Sequence, residues 1–226
     1  MTLVTDLIAE REKLLDAIET VYNKRGGLSG AITESQFRWI DSIVERLAKV
    51  KNRVDFLEIG SFMGVSNVVF GSTLRRHGVL GSMVSIDPYY EGGYLETVPW
   101  RQQDGPVRHE SDVNTMRKAL LLYKECGFDV RLIRVASKEG LCRLLLEQAQ
   151  FDLIFVDGDH EGLAPMTDVA FSLCLLRPDS YIILDDSFWP DIRPVRGLCE
   201  KHLIEIGAEG SKVCYLNTLK AQRLER

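Results

Sequence analysis

Two nearly unbroken apolar runs, Asp152-Leu153-Ile154-Phe155-Val156 and Ser180-Tyr181-Ile182-Ile183-Leu184, each end abruptly in aspartate. A strand that is apolar on both faces has no solvated side, so it belongs in a parallel sheet covered by helices above and below. The stretch between the runs opens its helix near Pro165, a first-turn residue, and stops before Arg177-Pro178. A right-handed crossover of that length makes the two strands parallel neighbours.

The same alternation runs from residue 54 onward. Candidate strands are 54–59, 82–86, 129–134, 152–156, 180–184 and 212–217, with a weaker one near 203–207. Helices are expected around 65–76, 112–126, 138–149, 164–176 and 192–202. This is an α/β chain with a doubly wound, mostly parallel sheet. Two helices precede it. Residues 5–22 carry Leu7, Ile8, Leu14, Leu15, Ile18, Val21 and Tyr22 at helical spacing, and 25–30 break the pattern with glycine. Thr33 with Gln36 then reads as a capping box. Residues 1–50 are therefore expected to form a helical cap or oligomer segment, and 51–226 the main domain. Residues 88–111 are too long for an ordinary connection, and Tyr89, Tyr90, Tyr94 and Trp100 favour a lid.

With 226 residues, 45% of them hydrophobic, one α/β domain with a large core is accommodated. A net charge of −5 carries no electrostatic footprint for nucleic acid. The terminal basic run 220–226 reads as a solvated helix end. Five cysteines without C-x-x-C spacing read as free thiols in a reducing compartment. No basic-then-apolar leader and no span-length apolar run is seen, so the expectation is a soluble, cytoplasmic chain with no membrane partner.

The apolar run Val54–Leu57 enters Glu58-Ile59-Gly60-Ser61-Phe62-Met63-Gly64-Val65-Ser66, where an acid ends a strand, two glycines turn the chain and a helix follows. The spacing is G-x-x-x-G. Phe62 stands where a dinucleotide fingerprint has the glycine that approaches a pyrophosphate. That disfavours NAD or FAD and suits a nucleoside ligand without phosphates, such as S-adenosyl-L-methionine. Gly64 would let the chain pass close to the ligand, and Ser66 would donate to an α-carboxylate at the helix N-terminus. An acid ending the next strand, about 20 residues on, should accept ribose hydroxyls, and Asp87 in Val84-Ser85-Ile86-Asp87 supplies it. Either acid alone would be an ordinary strand end.

Asp157 and the pair Asp185-Asp186 close the two apolar runs, so they share one edge of the sheet. Uncompensated carboxylates so placed repel one another, and a hard divalent cation with oxygen ligands, Mg²⁺ above all, relieves that repulsion. Aspartates also cap helices, a reading that weighs most for Asp159 and falls between Asp185 and Asp186.

The strings FLEIGSFMGVS, VSIDP, Arg134-Val135-Ala136-Ser137, FDLIFVDGDH and YIILDD together resemble class I S-adenosylmethionine-dependent methyltransferases. Within that class they look most like cation-dependent small-molecule O-methyltransferases of the catechol, caffeoyl-CoA and macrolide-sugar types, over residues 54 to about 190. The resemblance implies a seven-stranded sheet whose last strand is antiparallel. It implies that Glu58, Gly60, Phe62, Gly64 and Ser66 line the methionine end, that Asp87 holds the ribose, and that Ala136 and Ser137 border the adenine. It makes Asp157 both a cofactor neighbour and, with Asp185 and Asp186, a metal ligand. Where the family carries a lysine base three residues after the first metal carboxylate, this chain has His160. A histidine titrates near neutrality and can take a hydroxyl proton, or it can serve as a turn residue or ligand. His160 or Asp157 is thus the candidate base. His77, His109 and His202 read as structural or surface residues. Arg177-Pro178-Asp179-Ser180 replaces the family's proline-glycine-glycine turn.

The activity expected is methyl transfer to a hydroxyl of a small sugar or phenolic acceptor in natural-product biosynthesis, by a homodimer or larger assembly. A metal-dependent hydrolase or hydroxylase-like enzyme on the same fold, a metal-independent methyltransferase, and a silent cofactor-binding protein are the competing readings.

Overall fold

The computed structural model describes residues 2–22, 33–96, 107–109 and 111–218. The glycine break at 25–30, Trp100 and the basic run 220–226 lie outside them.

Two helices, α1 (Thr2–Tyr22) and α2 (Glu34–Ala48), lead into β1 (Val54–Ile59), α3 (Val65–Arg76) and β2 (Leu80–Ile86). After the antiparallel pair β3 (Tyr94–Glu96) and β4 (Val107–His109) come α4 (Val113–Glu125), β5 (Val130–Ile133) and α5 (Ser137–Leu146). Then follow β6 (Phe151–Val156), α6 (Ala164–Leu175), β7 (Leu176–Leu184), α7 (Arg193–His202), β8 (Ile204–Glu209) and β9 (Lys212–Asn217). The capping box at α2 forms in both directions, Gln36 N donating to Thr33 Oγ1 (3.2 Å) and Thr33 N to Gln36 Oε1 (3.1 Å).

The seven strands of the main sheet lie in the order β5-β2-β1-β6-β7-β9-β8. The first five are parallel, and β9 runs antiparallel to both β7 and β8. The weak strand foreseen near 203–207 is β8. Strand order reverses between β1 and β6, where an open α/β sheet leaves a crevice at the strands' carboxyl ends.

Strand parity divides the core. Phe56, Met83, Leu153, Phe155, Tyr181, Ile183 and Cys214 pack with α1 to α4 on one face. Leu57, Val84, Ile154, Ile182, Val213 and Tyr215 pack with α5 to α7 on the other. Leu7, Leu14, Ile18 and Tyr22 of α1, and Phe37, Ile40 and Leu47 of α2, belong to the first core. The apolar faces that suggested an oligomer surface are thus largely covered within the chain, although Ile8 stays 40% exposed.

Helix α6 passes into β7 without an intervening loop. The segment expected as a turn, Arg177-Pro178-Asp179-Ser180, is the irregular start of the strand, with a register shift opposite Phe151–Leu153. Asp179 takes the left-handed conformation there (φ 54°), which aspartate tolerates better than most residues. This segment sits at the amino edge of the sheet, away from the strand-end acids. Arg177 Nη1 donates to Asp152 Oδ2 (2.5 Å) and Asp55 Oδ2 (3.0 Å), and Lys51 Nζ lies 2.9 Å from Asp152 Oδ1. Asp152 also accepts the Asp55 N–H (3.0 Å) and has a side chain only 2% exposed.

Replacing Asp152 with Ala takes the buried carboxylate from Lys51, Arg177 and the Asp55 N–H, leaving Arg177 only Asp55 as a counter-charge. Breaking a buried pair costs about 3–5 kcal/mol, and the partial exposure of Arg177 places this one at the lower end. Urea unfolding should show a lower midpoint with an unchanged slope.

Candidate active site

Four strand ends are locked to their neighbours by one further ladder bond each. Asp87 N donates to Ile133 O (3.2 Å), Gly60 N to Ile86 O (2.9 Å), Asp157 N to Ile59 O (2.8 Å) and Asp185 N to Val156 O (3.0 Å). Side chains alternate faces along a strand. Counted from the core residues Phe56, Met83, Phe155 and Ile183, the acids Glu58, Asp87, Asp157 and Asp185 all fall on the α1–α4 face.

The turn after β1 is conformationally demanding. Gly60 (φ 85°) and Gly64 (φ 74°) take left-handed backbone angles, and so does Phe62 (φ 43°). A Cβ on Gly60 would sit 1.9 Å from the Asp157 carbonyl oxygen, and one on Gly64 would sit 2.6 Å from the Tyr123 ring. The glycine at 64 is demanded by Tyr123 and by its own φ. Phe62 is tied at both polar groups: its N–H donates to Asp87 Oδ2 (2.8 Å), and its carbonyl accepts the Tyr89 hydroxyl (2.9 Å). From α1, the Tyr22 hydroxyl donates to Met63 O (2.7 Å).

Glu58 is fully buried beneath this turn. Ser66 Oγ and Asn67 Nδ2 donate to its two oxygens in short hydrogen bonds, and Ser85 Oγ adds a third at 3.3 Å. Ser61 Oγ and the Tyr123 hydroxyl, 2.6 Å apart, complete a polar cluster around Asn67. Burial raises the Glu58 pKa well above the usual carboxylate range, the Ser66 hydrogen bond opposes this, and the Asp157 and Asp87 charges add to the rise. Glu58 thus supports the loop from below. The Ser66 hydroxyl, expected to serve an α-carboxylate, is spent on Glu58. Asn67 and Tyr123 were missed, although a polar residue on the buried side of an apolar helix was the available signal.

Asp87 is nearly buried and accepts from Phe62 N, from Tyr89 N (2.9 Å) and from Ser111 Oγ (2.9 Å). Burial raises its pKa, and these donors pull it back down. Most of its lone pairs are committed to protein, so the carboxylate organises the loop as well as facing the crevice. Ala136 is the exposed N-cap of α5, and Ser137 opens that helix half-buried.

The second group forms where β6 and β7 end. Ligand atoms of Asp157, His160 and Asp186 all lie within 4.8 Å of one another. His160 Nε2 is 3.7 Å from Asp157 Oδ1 and 3.4 Å from Asp186 Oδ2. Its ring stacks on Trp189 (centroids 4.9 Å apart, 28° between planes). Burial, with the Asp185 charge and then that of Asp186, pushes Asp157 up to about 7 against the opposing influence of His160. Its side chain keeps 30% exposure, so water moderates that rise. Asp159, weighed as a turn residue, accepts the Glu161 N–H (2.9 Å) and is one.

Asp185, expected in the ligand set, has Lys212 Nζ 2.5 Å from its Oδ2 and accepts the Ser211 hydroxyl at its Oδ1. Asp185 also accepts the Asp186 N–H (2.7 Å). The pair comes from an antiparallel partner strand, β9, whose first residue no local motif marks. His77, read as structural, pairs with Asp41 (2.9 Å).

One further acid lies beneath the site. Asp168 of α6 is fully buried, and a Cβ on Gly158 would meet its Oδ2 at 2.8 Å. It occupies the buried stripe Pro165, Asp168, Val169, Ser172, Leu175, so an acid in an apolar period was the sequence signal for it.

The family named for its methyltransferase domain matches residues 57–187, more than half of the chain. The chain belongs to this methyltransferase family. No curated protein matches it by sequence. Solved structures similar to this methyltransferase include the O-methyltransferase NovP, at 15% identity and TM-score 0.65, covering 95% of this chain and 99% of the other. The O-methyltransferase from Bacillus cereus in complex with SAH is similar at 15% identity and TM-score 0.60, covering 92% and 91%. TomG from Streptomyces achromogenes, an O-methyltransferase involved in tomaymycin synthesis and solved with SAM, follows at 18% and 0.56, covering 92% and 89%. At such identities the likeness establishes the fold, which is that of class I methyltransferases. Among the described residues, no helix of this methyltransferase is long and apolar enough to cross a membrane.

Burial holds Asp168 at a pKa of about 7. A carboxyl raised this far above its unfolded value of about 4 binds its proton more tightly when folded, so stability falls as pH rises between those values. Asp168→Asn should therefore match the parent near pH 4 and exceed it above pH 7, by at most roughly 4 kcal/mol. Melting followed across pH checks the sign.

Proposed function

We propose that this methyltransferase uses S-adenosyl-L-methionine to methylate a hydroxyl of a small molecule, assisted by a divalent cation, Mg²⁺ in the simplest case. The observation carrying this reading is that the loop cradle of β1 and β2 and the Asp157–His160–Asp186 group occupy the same carboxyl edge of the sheet.

The residues fit both groups. The turn lacks the central glycine a pyrophosphate needs, and it is held rigid by Asp87, Tyr89 and Tyr22. In this reading Asp87 is the ribose partner at the end of β2, the turn backbone serves the methionine end, and Ala136 with Ser137 borders the adenine. Asp157 and Asp186 offer hard oxygen donors close enough to share one ion. When bound, the donor supplies an electrophilic methyl and the cation supplies Lewis acidity toward the acceptor hydroxyl.

What remains is alignment and proton removal, and the chain's own groups can perform both. Orientation of an acceptor oxygen against a methyl group contributes several kcal/mol. Trp189 stacks on the His160 ring and supports its plane, and in this reading Nε2 takes the hydroxyl proton. The two carboxylates within 4 Å of that nitrogen stabilise the imidazolium that forms. Leu163 (80% exposed) and Phe188 (51% exposed) flank this group in sequence and offer apolar contacts to a sugar or phenolic acceptor. Natural-product biosynthesis is the setting that suits such an acceptor.

His160→Ala should lower kcat by about 10²–10⁴-fold, with S-adenosylhomocysteine still binding as it does to the parent. Radiolabelled methyl transfer to a panel of vicinal-diol acceptors, run beside calorimetry, separates the two effects. Turnover of the panel without any methyl donor would instead favour the hydrolase reading, and absence of heat with S-adenosylhomocysteine would sink the proposal.

A further inference from the structure

We infer that Lys212 is a built-in counter-ion of the acidic rim: it withdraws Asp185 from the cation's ligand set and leaves the carboxylates of Asp157 and Asp186 to that role. This rests on the cation reading proposed above.

Lys212 is a buried lysine, with 7% of its surface exposed. It is the first residue of β9, and pairing of Leu184 with Val213 carries it alongside Asp185. On that strand Cys214 faces the α1–α4 core, so Lys212 projects to the same face as the acids. Its ammonium lies 2.5 Å from Asp185 Oδ2 and 5.8 Å from the centre of the Phe155 ring, on the strand that delivers Asp157. Asp185 is otherwise filled by Ser211 Oγ and the Asp186 N–H. A carboxylate holding an ammonium and two further donors has little capacity left for a metal. Asp157 and Asp186 remain, facing His160.

Electrostatics supports the same division. The Lys212 ammonium, 2.5 Å from Asp185 Oδ2, offsets the charge of that carboxylate and not of the other two. A buried ammonium next to a cation site also lowers the site's avidity, because like charges repel over this distance in a medium less polar than water. Lys212 is thus a positioning residue that tunes cation affinity through Asp185 and pins the β8–β9 hairpin to the rim.

The test is Mn²⁺ binding, read by loss of the free-ion electron paramagnetic resonance signal, for the full chain and four variants. Asp186→Asn removes a ligand and should weaken binding by about tenfold or more. Lys212→Met should tighten it, and Asp185→Asn should weaken it, since each unbalances the rim in the opposite sense. The decisive variant is Asp185→Asn combined with Lys212→Met, which removes the pair as a neutral unit and keeps similar volumes. It should bind Mn²⁺ within about threefold of the parent, less than a loss of 0.7 kcal/mol. Loss of binding in the double variant as deep as in Asp186→Asn would make Asp185 a ligand and overturn the inference, leaving the cation reading intact. A parent chain that takes up no Mn²⁺ would overturn the cation reading and this inference with it.

Discussion

Like charge brought together by strand parity is the constraint on which the rest of the structure depends. Each of four parallel-sheet elements ends in an acid on the same face, and the ladder bonds at those ends leave the backbone no room to turn them apart. The chain meets the repulsion differently at each position. Glu58 is sealed under donors from α3, Asp87 is wrapped by two backbone amides and a serine, and Asp185 is given an ammonium. Asp157 and Asp186 face each other across the His160 imidazole.

The loop between β1 and α3 follows the same logic. A phenylalanine in left-handed backbone is unfavourable by itself, of order 1–3 kcal/mol. The strain persists because Asp87 and Tyr89 hold its amide and carbonyl, and Tyr89 is itself left-handed with its amide on the same carboxylate. One acid thereby fixes two strained residues on different loops. Removing Asp87 would release both, so its structural part cannot be separated from any contact it makes to a ligand.

Much of this was legible in the sequence, and the exceptions have physical causes. Parallel strands buried on both faces announce themselves as apolar runs, so β1, β6 and β7 and the acids closing them could be read directly. The capping box at Thr33 is local chemistry and was equally readable. Partnership across the sheet was not. Lys212 meets Asp185 because an antiparallel strand folds back beside β7, and Tyr123 meets Ser61 because α4 packs over α3. Neither pairing leaves a trace in residue spacing. The turn expected at Arg177–Ser180 failed for a related reason: Asp152, far off in sequence, captures Arg177 and draws the segment into the strand.

The bond from Tyr22 to the Met63 carbonyl joins the first helix to the loop that the proposed donor would touch. Two events sharing one contact are thermodynamically linked, and the linkage works in both directions. Any ligand that steadies residues 60–64 must also slow the detachment of α1, making that helix a reporter of occupancy to a protease or to exchanging deuterium. By the same reciprocity, sequence drift along α1, remote from the reacting atoms, can retune how tightly the pocket holds its guest.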